Sequence, residues 1–229
     1  MRSPTVLFIG AEDEENLAIR SLAAFVRAAG IRAKIAPFCR TAQTDGVLRA
    51  AARLRPHVIA VSMPFQSLAS DFFRLIARLR EAGYRGHVVV GGHFPTFEYA
   101  RILETQPGID SVMRFEGEHG LRQLVEAVAG QGDLSTVPNL VYRTPDGLHE
   151  TPAIHAFLDL DALPDPVRDR RPLVRMGERF ATLISSRGCW HAACAYCCIG
   201  AFHRGKGQKF ILRDAGRVAA ELAERRQIV

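Results

Sequence analysis

The first 130 residues alternate between short apolar runs and longer amphipathic stretches, and this alternation limits the possible folds more than any other feature. The apolar runs are rich in strand-forming residues, whereas the apolar residues between the runs recur at helical spacing. Strands joined through helices in this way form right-handed crossovers and lie parallel in one sheet. The sequence therefore predicts an α/β fold with a doubly wound, five-stranded, Rossmann-like parallel sheet.

The bounds of the predicted elements follow from the same pattern. Strands are predicted at residues 5–9, 33–38, 58–62, 87–90 and 109–113. Helices are predicted at residues 14–29, 45–54, 68–82, 97–104 and 119–129. Pro37 has no backbone N–H to donate, so the second strand is predicted to lie at an edge of the sheet.

Ligands of doubly wound sheets bind beyond the carboxyl ends of the strands, so the loops after the strands are candidate binding loops. Their candidate residues are Ser62, Met63, Gln66, Gly91, Gly92, His93, Glu116 and Gly117. The two adjacent glycines either form a tight turn or leave room for a bulky ligand against the backbone. The acids Glu116 and Glu118 either belong to a site or are solvated residues at the positive end of a helix dipole. Neither a GxGxxG nor a Walker motif is present, so the sequence does not indicate a dinucleotide.

The segments at the third, fourth and fifth strands read VIAVSMPFQS, VVVGGHFPT and SVMRFEGEHGLRQLVEAV. In this order and spacing, they resemble the cobalamin-binding domain of cobalamin-dependent radical SAM proteins, over residues 5 to about 130. The resemblance implies that cobalamin is a cofactor whose corrin ring lies over the carboxyl ends of the strands. It also implies that the nucleotide tail lies along the sheet near Ser62, Gly91 and Gly92.

One motif of other cobalamin proteins is missing from this sequence. Methylmutases and methionine synthases carry a DxHxxG histidine that ligates the cobalt, and no DxHxxG occurs here. The lower face of a bound cobalamin is therefore predicted to lack a histidine ligand from the protein. His93 is the nearest alternative candidate, but the favoured interpretation is a loop histidine that bonds to backbone or to the corrin substituents.

Four of the five cysteines fall within ten positions, in the stretch SSRGCWHAACAYCCIGAFHR. This uneven distribution is unlike a disulfide framework and indicates a metal site or thiol chemistry. Three thiolates on one loop can hold a four-iron cluster and leave the fourth iron open to a substrate. Cys189, Cys194 and Cys197 have the spacing C-x4-C-x2-C, which resembles the C-x3-C-x2-C signature of radical SAM enzymes.

This second resemblance implies a 4Fe-4S cluster ligated by Cys189, Cys194 and Cys197, and S-adenosylmethionine as a further cofactor. It also implies that Tyr196, just before the last cysteine, packs against the adenine of S-adenosylmethionine. The residues Ser186, Arg187 and Gly188 match the RGC opening common in the cobalamin-dependent branch of that family.

The first cysteine gap has four residues rather than three, so alternatives remain open. Cys198 could replace Cys197 as a ligand, although the aromatic residue would then be misplaced. A zinc site could combine the cysteines with His191 or His203. The remaining thiol, Cys39, is predicted to be a small buried apolar residue.

The sequence predicts three regions: a cobalamin-binding domain (1–130), a linker (131–180) and the beginning of a radical SAM domain (181–229). The linker is rich in Gly, Pro, Asp and Arg, and it contains a hairpin that turns at residues 145–147. The last region is predicted to hold the first strand (181–185), the cysteine loop and the first helix (214–226) of an incomplete barrel. That helix is predicted to bury Val218, Leu222 and Ile228. A complete barrel takes about 200 residues or more, so the chain is expected to be a fragment, a truncated product or half of a split enzyme.

Composition adds limits on partners and location. The net charge is +6, but no basic run or aromatic-interleaved basic stripe favours nucleic acid as a partner. No apolar run is long enough for a membrane span, and the first residues do not resemble a secretory signal, so a cytoplasmic protein is expected. The expected substrate is a small molecule or a peptide, with a second chain as a candidate source of the rest of the barrel.

The predicted function is the N-terminal part of a cobalamin-dependent radical SAM enzyme. The family resemblance implies cleavage of S-adenosylmethionine to a 5′-deoxyadenosyl radical and, most often, methyl transfer from methylcobalamin to a substrate radical. This chain alone is expected to be inactive. The alternative is a non-catalytic cobalamin-binding or sensory module whose cysteine loop is vestigial. A third interpretation is a zinc-stabilised nucleic-acid-binding protein.

Overall fold

The structure is a computed structural model that describes residues 3–154, 158–168, 173–203 and 210–226. A seven-stranded sheet forms its centre, in the order β2-β1-β3-β4-β5-β6-β7. Its strands are β1 (Thr5–Gly10), β2 (Arg32–Pro37), β3 (Val58–Ser62), β4 (His87–Gly91), β5 (Ser111–Met113), β6 (Leu140–Thr144) and β7 (Gly147–Glu150). The first five strands are parallel, as the sequence predicts, and β2 is the edge strand expected from Pro37.

Four helices connect the parallel strands, a fifth follows β5, and together they cover both faces of the sheet. They are α1 (Leu17–Ala28), α2 (Thr44–Leu54), α3 (Ala69–Glu81), α4 (His93–Thr105) and α5 (Glu118–Glu126). The helix α1 begins three residues later than predicted, because the Asn16 side chain accepts a hydrogen bond from the Ile19 N–H and caps the helix there. Among the described residues, no helix is long and apolar enough to cross a membrane.

Side chains of the strands alternate between two apolar cores. Leu7, Ile59 and Val88 face a core that α2, α3 and α4 cover. Phe8 and Ala60 face the other core, which α1 and α5 cover. Because successive side chains of a strand point to opposite faces, this two-sided burial follows from the continuous apolar composition of the strands.

The hairpin predicted in the linker extends the central sheet. Strand β6 pairs antiparallel with β5, and β7 pairs antiparallel with β6. Arg143 fixes this edge, because its guanidinium donates hydrogen bonds to the carbonyls of Leu103, Gln106 and Ile109. The residues after 130 therefore complete the sheet before the chain leaves it.

Two smaller two-stranded sheets and two helices follow. They comprise β8 (Leu173–Arg175), β9 (Glu178–Phe180), β10 (Ser186–Gly188), α6 (Ile199–Phe202), β11 (Phe210–Leu212) and α7 (Ala215–Arg226). Strand β8 pairs with β9, and β10 pairs with β11, in both cases antiparallel.

Three predictions about bounds and burial are wrong. The strand predicted at residues 181–185 begins instead at Ser186, where pairing with β11 supplies its hydrogen bonds. The helix predicted to begin at residue 97 begins at His93, because Gly92 turns the chain directly after β4. On α7, Leu222 is exposed and Glu221 is buried, because buried arginines pair with that carboxylate. The predicted burial of Ile228 concerns a position outside the described residues.

Candidate functional site

Small residues occupy the carboxyl ends of three neighbouring strands on the face that α1 and α5 cover. Residues two positions apart on a strand share a face of the sheet. Gly10, Ser62 and Gly91 therefore share the face of Phe8 in β1, Ala60 in β3 and Val89 in β4, respectively. The register places Ser62 beside Gly91. Since none of these residues has a large side chain, the sheet ends there without filling the space under α1 and α5.

The space that remains is a cavity of about 380 Å³. Its floor and sides consist mainly of apolar residues, including Phe8, Ile19, Leu22, Ala60, Val89, Met113 and Leu121. At the strand ends it also contacts Ser62, Gly91, Gly92, His93, Glu116 and Gly117, all of which the sequence predicts as site residues. Residues that follow position 180 close its mouth, namely Ile184, Arg187, Gly188, Ile199, Phe202 and His203.

Gly92 is required by the backbone between β4 and α4. It has φ 110° and ψ −175°, a conformation that only glycine adopts without strain. A Cβ at this position would lie 2.9 Å from the carbonyl oxygen of Met63. The tight-turn interpretation therefore accounts for Gly92 by itself, and its missing side chain would not have pointed into the cavity.

Two predicted residues do not line the cavity. Met63 is completely buried in the opposite core, although its backbone lies against Gly92. Gln66 is exposed in a short 3-10 turn that precedes α3. Both follow β3 as predicted, but the chain turns away from the cavity after Pro64, which is the last residue of this loop to contact it.

An aromatic cluster joins the cavity to the segment after the cysteines. The ring centroid of Phe202 lies 4.7 Å from that of His93 and 5.7 Å from that of Phe115. Phe115 has φ 58°, which is unusual for an aromatic residue, and its N–H donates to Thr96 Oγ1 at 3.0 Å. Burial lowers the pKa of His93, so its imidazole is neutral at pH 7.

An ion pair at the mouth of the cavity joins two of the sequence motifs. Arg187 of the SRGC motif lies 2.6 Å from Glu118 and 3.7 Å from Glu116, both of the FEGEHG motif. All three side chains are largely buried. Burial by itself lowers the pKa of Arg187, but the neighbouring carboxylates outweigh it and raise that pKa, so the guanidinium stays charged. The acids are therefore not solvated residues at a helix start.

The cysteine loop lies beside this ion pair. Cys189 and Cys194 are partly exposed, and Cys197 and Cys198 are exposed. Tyr196 is also exposed, with 92% of its surface accessible. Within the described residues, no three His, Cys, Asp or Glu side chains lie close enough together to hold a metal ion. The loop thus carries the predicted thiol ligands without bringing them together.

The fifth cysteine lies elsewhere and has a structural role. Cys39 is partly buried after β2, and its sulfur accepts a hydrogen bond from the Glu12 N–H at 3.0 Å. Burial raises the pKa of this thiol. A protonated, partly buried thiol of this kind is consistent with the predicted packing role.

Sequence reasoning missed the buried ion pairs that hold the later segments. Glu12 and Arg20 form a fully buried pair at 2.7 Å, and Arg20 also donates to the carbonyl of Val167 at 2.7 Å. Arg168 pairs with both Glu15 and Glu221, at 2.6 and 2.7 Å. The abundance of arginine was the only available signal, because partners so distant in the chain cannot be assigned from the sequence.

The fold and the cavity define a doubly wound α/β domain with a ligand site at the carboxyl ends of its parallel strands. The B12 binding domain family matches residues 8–125, which is more than half of the chain. The chain belongs to this family, and the family match supports cobalamin as its ligand.

Curated relatives extend the match toward the cysteine loop. The anaerobic magnesium-protoporphyrin IX monomethyl ester cyclase of Synechocystis sp. is 32% identical over 152 residues, which is 65% of this chain and 30% of that protein. The hopanoid C-3 methylase of Methylococcus capsulatus is 27% identical over 175 residues, 73% of this chain and 32% of that protein. The chain thus spans about a third of the length of these relatives.

Solved structures show the same fold. The radical S-adenosylmethionine methyltransferase TsrM from Kitasatospora setae matches 99% of this chain and 46% of its own, with TM-score 0.75 and 17% identity. The cobalamin-dependent S-adenosylmethionine radical enzyme OxsB, in its apo form, matches 99% and 32%, with TM-score 0.74 and 20% identity. The resemblance to cobalamin-dependent radical SAM proteins that the sequence predicts is confirmed.

Proposed function

We propose that this chain is the cobalamin-binding part of a radical SAM enzyme and that its cysteine loop holds a 4Fe-4S cluster for cleavage of S-adenosylmethionine. One observation carries the proposal. The segment with the cysteines also forms the mouth of the cobalamin cavity, through Arg187, Gly188 and Phe202. Two cofactors bound at these places would therefore be neighbours, as a reaction that uses both requires.

The cavity suits the apolar part of a cobalamin. Small residues at the strand ends, Ser62 and Gly91 among them, leave the floor of the cavity open along the sheet. A flat ring system can lie over such strand ends, and a flexible tail can enter the apolar space under α1 and α5. The ring of His93 packs on Phe202, and the chain lacks the DxHxxG histidine of other cobalamin proteins, so we propose that His93 contacts the corrin and does not ligate cobalt.

The donor set of the cysteine loop suits an iron–sulfur cluster. Cys189, Cys194 and Cys197 supply three soft thiol ligands, and both flanks of the loop are anchored at the cavity. In this proposal the loop closes around the cluster, since its thiols are not brought together in the structure. The exposed Tyr196 would then be placed to pack against the adenine.

A cluster held by Cys189, Cys194 and Cys197 would supply the electron that cleaves S-adenosylmethionine to methionine and a 5′-deoxyadenosyl radical, and a methylcobalamin in the cavity would supply a methyl group. The residues of this chain orient those groups and exclude water from between them. Phe115 and Phe202 provide an apolar wall there, and Phe202 is 7% exposed. The substrate would be a small molecule or a peptide, and a second chain is the proposed source of the rest of the barrel.

Anaerobic reconstitution with iron and sulfide, beside a titration with hydroxocobalamin, tests the proposal. We expect saturable cobalamin binding and a brown chain with a broad visible band near that of 4Fe-4S proteins. Cobalamin binding without iron uptake would instead support a non-catalytic or sensory module. Zinc retained in place of iron, measured by metal analysis, would support the zinc-stabilised alternative.

A further inference from the structure

The ion pair between Arg187 and the two acids connects the cobalamin cavity with the cysteine loop. Glu116 and Glu118 belong to the loop after β5 and the first turn of α5, which form one side of the cavity. Arg187 belongs to β10 and stands two residues before Cys189. The Arg187 guanidinium thus connects the wall of the cavity with the strand that leads into the cysteine loop.

This contact has the geometry of a strong but incompletely shielded ion pair. The nearest distance is 2.6 Å, from Arg187 Nη2 to Glu118 Oε1, and the second acid lies at 3.7 Å. The exposed fractions are 19% for Arg187, 10% for Glu116 and 4% for Glu118. Since these side chains line the cavity mouth, a ligand in the cavity would displace the remaining water. Removal of water strengthens the attraction between fixed opposite charges.

From this arrangement we infer that Arg187 is a positioning residue through which an occupied cobalamin cavity orders the cysteine loop. The inference rests on the proposed function and adds a thermodynamic link between its two cofactors. A ligand that strengthens the Arg187 ion pair favours the docked position of β10 and thus of Cys189. By reciprocity, a cluster that holds the loop in that position raises the affinity for cobalamin by the same factor.

Other buried contacts hold the residues that flank this segment, Thr182 before it and α7 after it, without touching the cavity, and they provide a control. Arg168 pairs with Glu15 and Glu221, its side chain is buried, and it is not among the residues that line the cavity. Replacement of Arg168 by glutamine weakens docking in general. Replacement of Arg187 by glutamine removes, in addition, the link to the cavity.

Hydrogen exchange of the full chain, with and without saturating hydroxocobalamin, tests the inference. In the wild type we expect cobalamin to slow exchange of the amides in residues 186–198 by roughly tenfold, which is within the usual range of coupling between sites. The Arg187→Gln chain should bind hydroxocobalamin and show no slowing there, whereas Arg168→Gln should retain it. Glu118→Gln, which removes the nearer partner, should behave as Arg187→Gln does.

The second measurement uses iron. After reconstitution, the rate of iron loss to a chelator should fall by about tenfold when hydroxocobalamin is added to the wild type, and should not change in Arg187→Gln. If hydroxocobalamin still slows amide exchange and iron loss in both Arg187→Gln and Glu118→Gln, the inference is overturned. It is also overturned if the slowing is lost in Arg168→Gln, because the effect would then depend on docking in general. A wild-type chain that binds cobalamin without any slowing also overturns it, whereas a chain that binds no cobalamin contradicts the proposed function itself. Protection of β3 amides verifies that each variant is folded.

Discussion

The ring of Phe202 packs on the ring of His93 with their centroids 4.7 Å apart and their planes tilted by 49°. His93 begins the helix after β4, whereas Phe202 ends the short helix after the cysteines. This contact therefore brings two distant parts of the chain together at the cavity. Because Phe202 is the only buried apolar residue of α6 among those described, much of the docking of the cysteine segment depends on it.

Replacement of Phe202 by alanine should loosen that segment. Loss of a buried phenylalanine costs about 3–5 kcal/mol when the site cannot collapse, and here it removes the ring contacts with His93 and Phe115. We expect faster hydrogen exchange at residues 186–203 and unchanged protection of the central strands. Leu222→Ala, on the exposed side of α7, is the control and should change little. Equal exchange in both variants would show that Phe202 does not anchor the segment.

His93 is not expected to ligate cobalt, so the cobalt of a bound cobalamin should have no nitrogen ligand from the protein. Electron paramagnetic resonance of bound cob(II)alamin should show no splitting from a histidine nitrogen. His93→Ala should keep the same spectrum, with weaker binding because the packing on Phe202 is lost. A nitrogen splitting in the wild type that disappears in His93→Ala would make His93 the axial ligand.

Gly92 is expected to be essential for the fold around the cavity. In Gly92→Ala, the new Cβ would lie 2.9 Å from the Met63 carbonyl oxygen, and the backbone would keep φ 110°. Clash and strain together should lower the free energy of unfolding by about 3 kcal/mol or more. The matched control is Gly30→Ala, where φ is 80° and no atom lies within 4 Å. That variant should lose only about 1–2 kcal/mol, and equal urea midpoints would contradict the prediction.

Cys189, Cys194 and Cys197 are expected to be the cluster ligands. Each single change to alanine should remove most of the iron and sulfide taken up in anaerobic reconstitution, because three thiolates are needed to hold the cluster. Cys198→Ala should take up the wild-type amount. If Cys198→Ala is empty and Cys197→Ala retains the cluster, the ligand set is the C-x4-C-x3-C alternative.

Docking of α7 should depend on pH through Glu221 and Glu15. Burial by itself raises the pKa of each carboxyl. Hydrogen bonds to Arg213 and Arg168 outweigh this effect and lower the pKa of Glu221. Hydrogen bonds to Thr182 and the charge of Arg168 likewise lower the pKa of Glu15. A lowered folded-state pKa stabilises the fold above the ordinary value of 4.5, and this stability is lost as the pH falls through the folded-state value.

Replacement of one partner tests the same network at constant pH. At pH 7, Glu221→Gln should destabilise the docked helix by about 3 kcal/mol, because it leaves buried arginines with one carboxylate fewer. The difference from wild type should shrink as the pH falls below 4.5 through the lowered folded-state pKa, because protonation of Glu221 has the same effect. Glu224→Gln, on the exposed side of the same helix, should be neutral. Thermal unfolding followed across pH gives both comparisons, and a pH-independent difference would contradict the prediction.

Local patterns were sufficient for the parallel sheet and for the loops at the carboxyl ends of its strands. Apolar runs such as residues 58–62 specify buried strands, and Pro37 specifies an edge, because both depend on hydrogen bonding and burial near the residue itself. The motifs around Gly91 and Cys189 likewise pointed to the two places that the structure brings together. The ends of the predicted elements were less accurate, because α4 begins earlier and β10 begins later than the sequence predicts.

The sequence by itself determined the fold class, the cobalamin family and the cysteines that could bind a cluster. Only the tertiary structure decided that Ser62 and Gly91 border a cavity while Met63 and Gln66 do not, and that Phe202 and Arg187 close it. Alternation of side chains along a strand is a local property, whereas the partner of a buried charge or ring depends on which distant segment packs against it. Those long-range contacts involve residues such as Glu118, Arg168 and Glu221, whose types alone would equally suit an exposed surface.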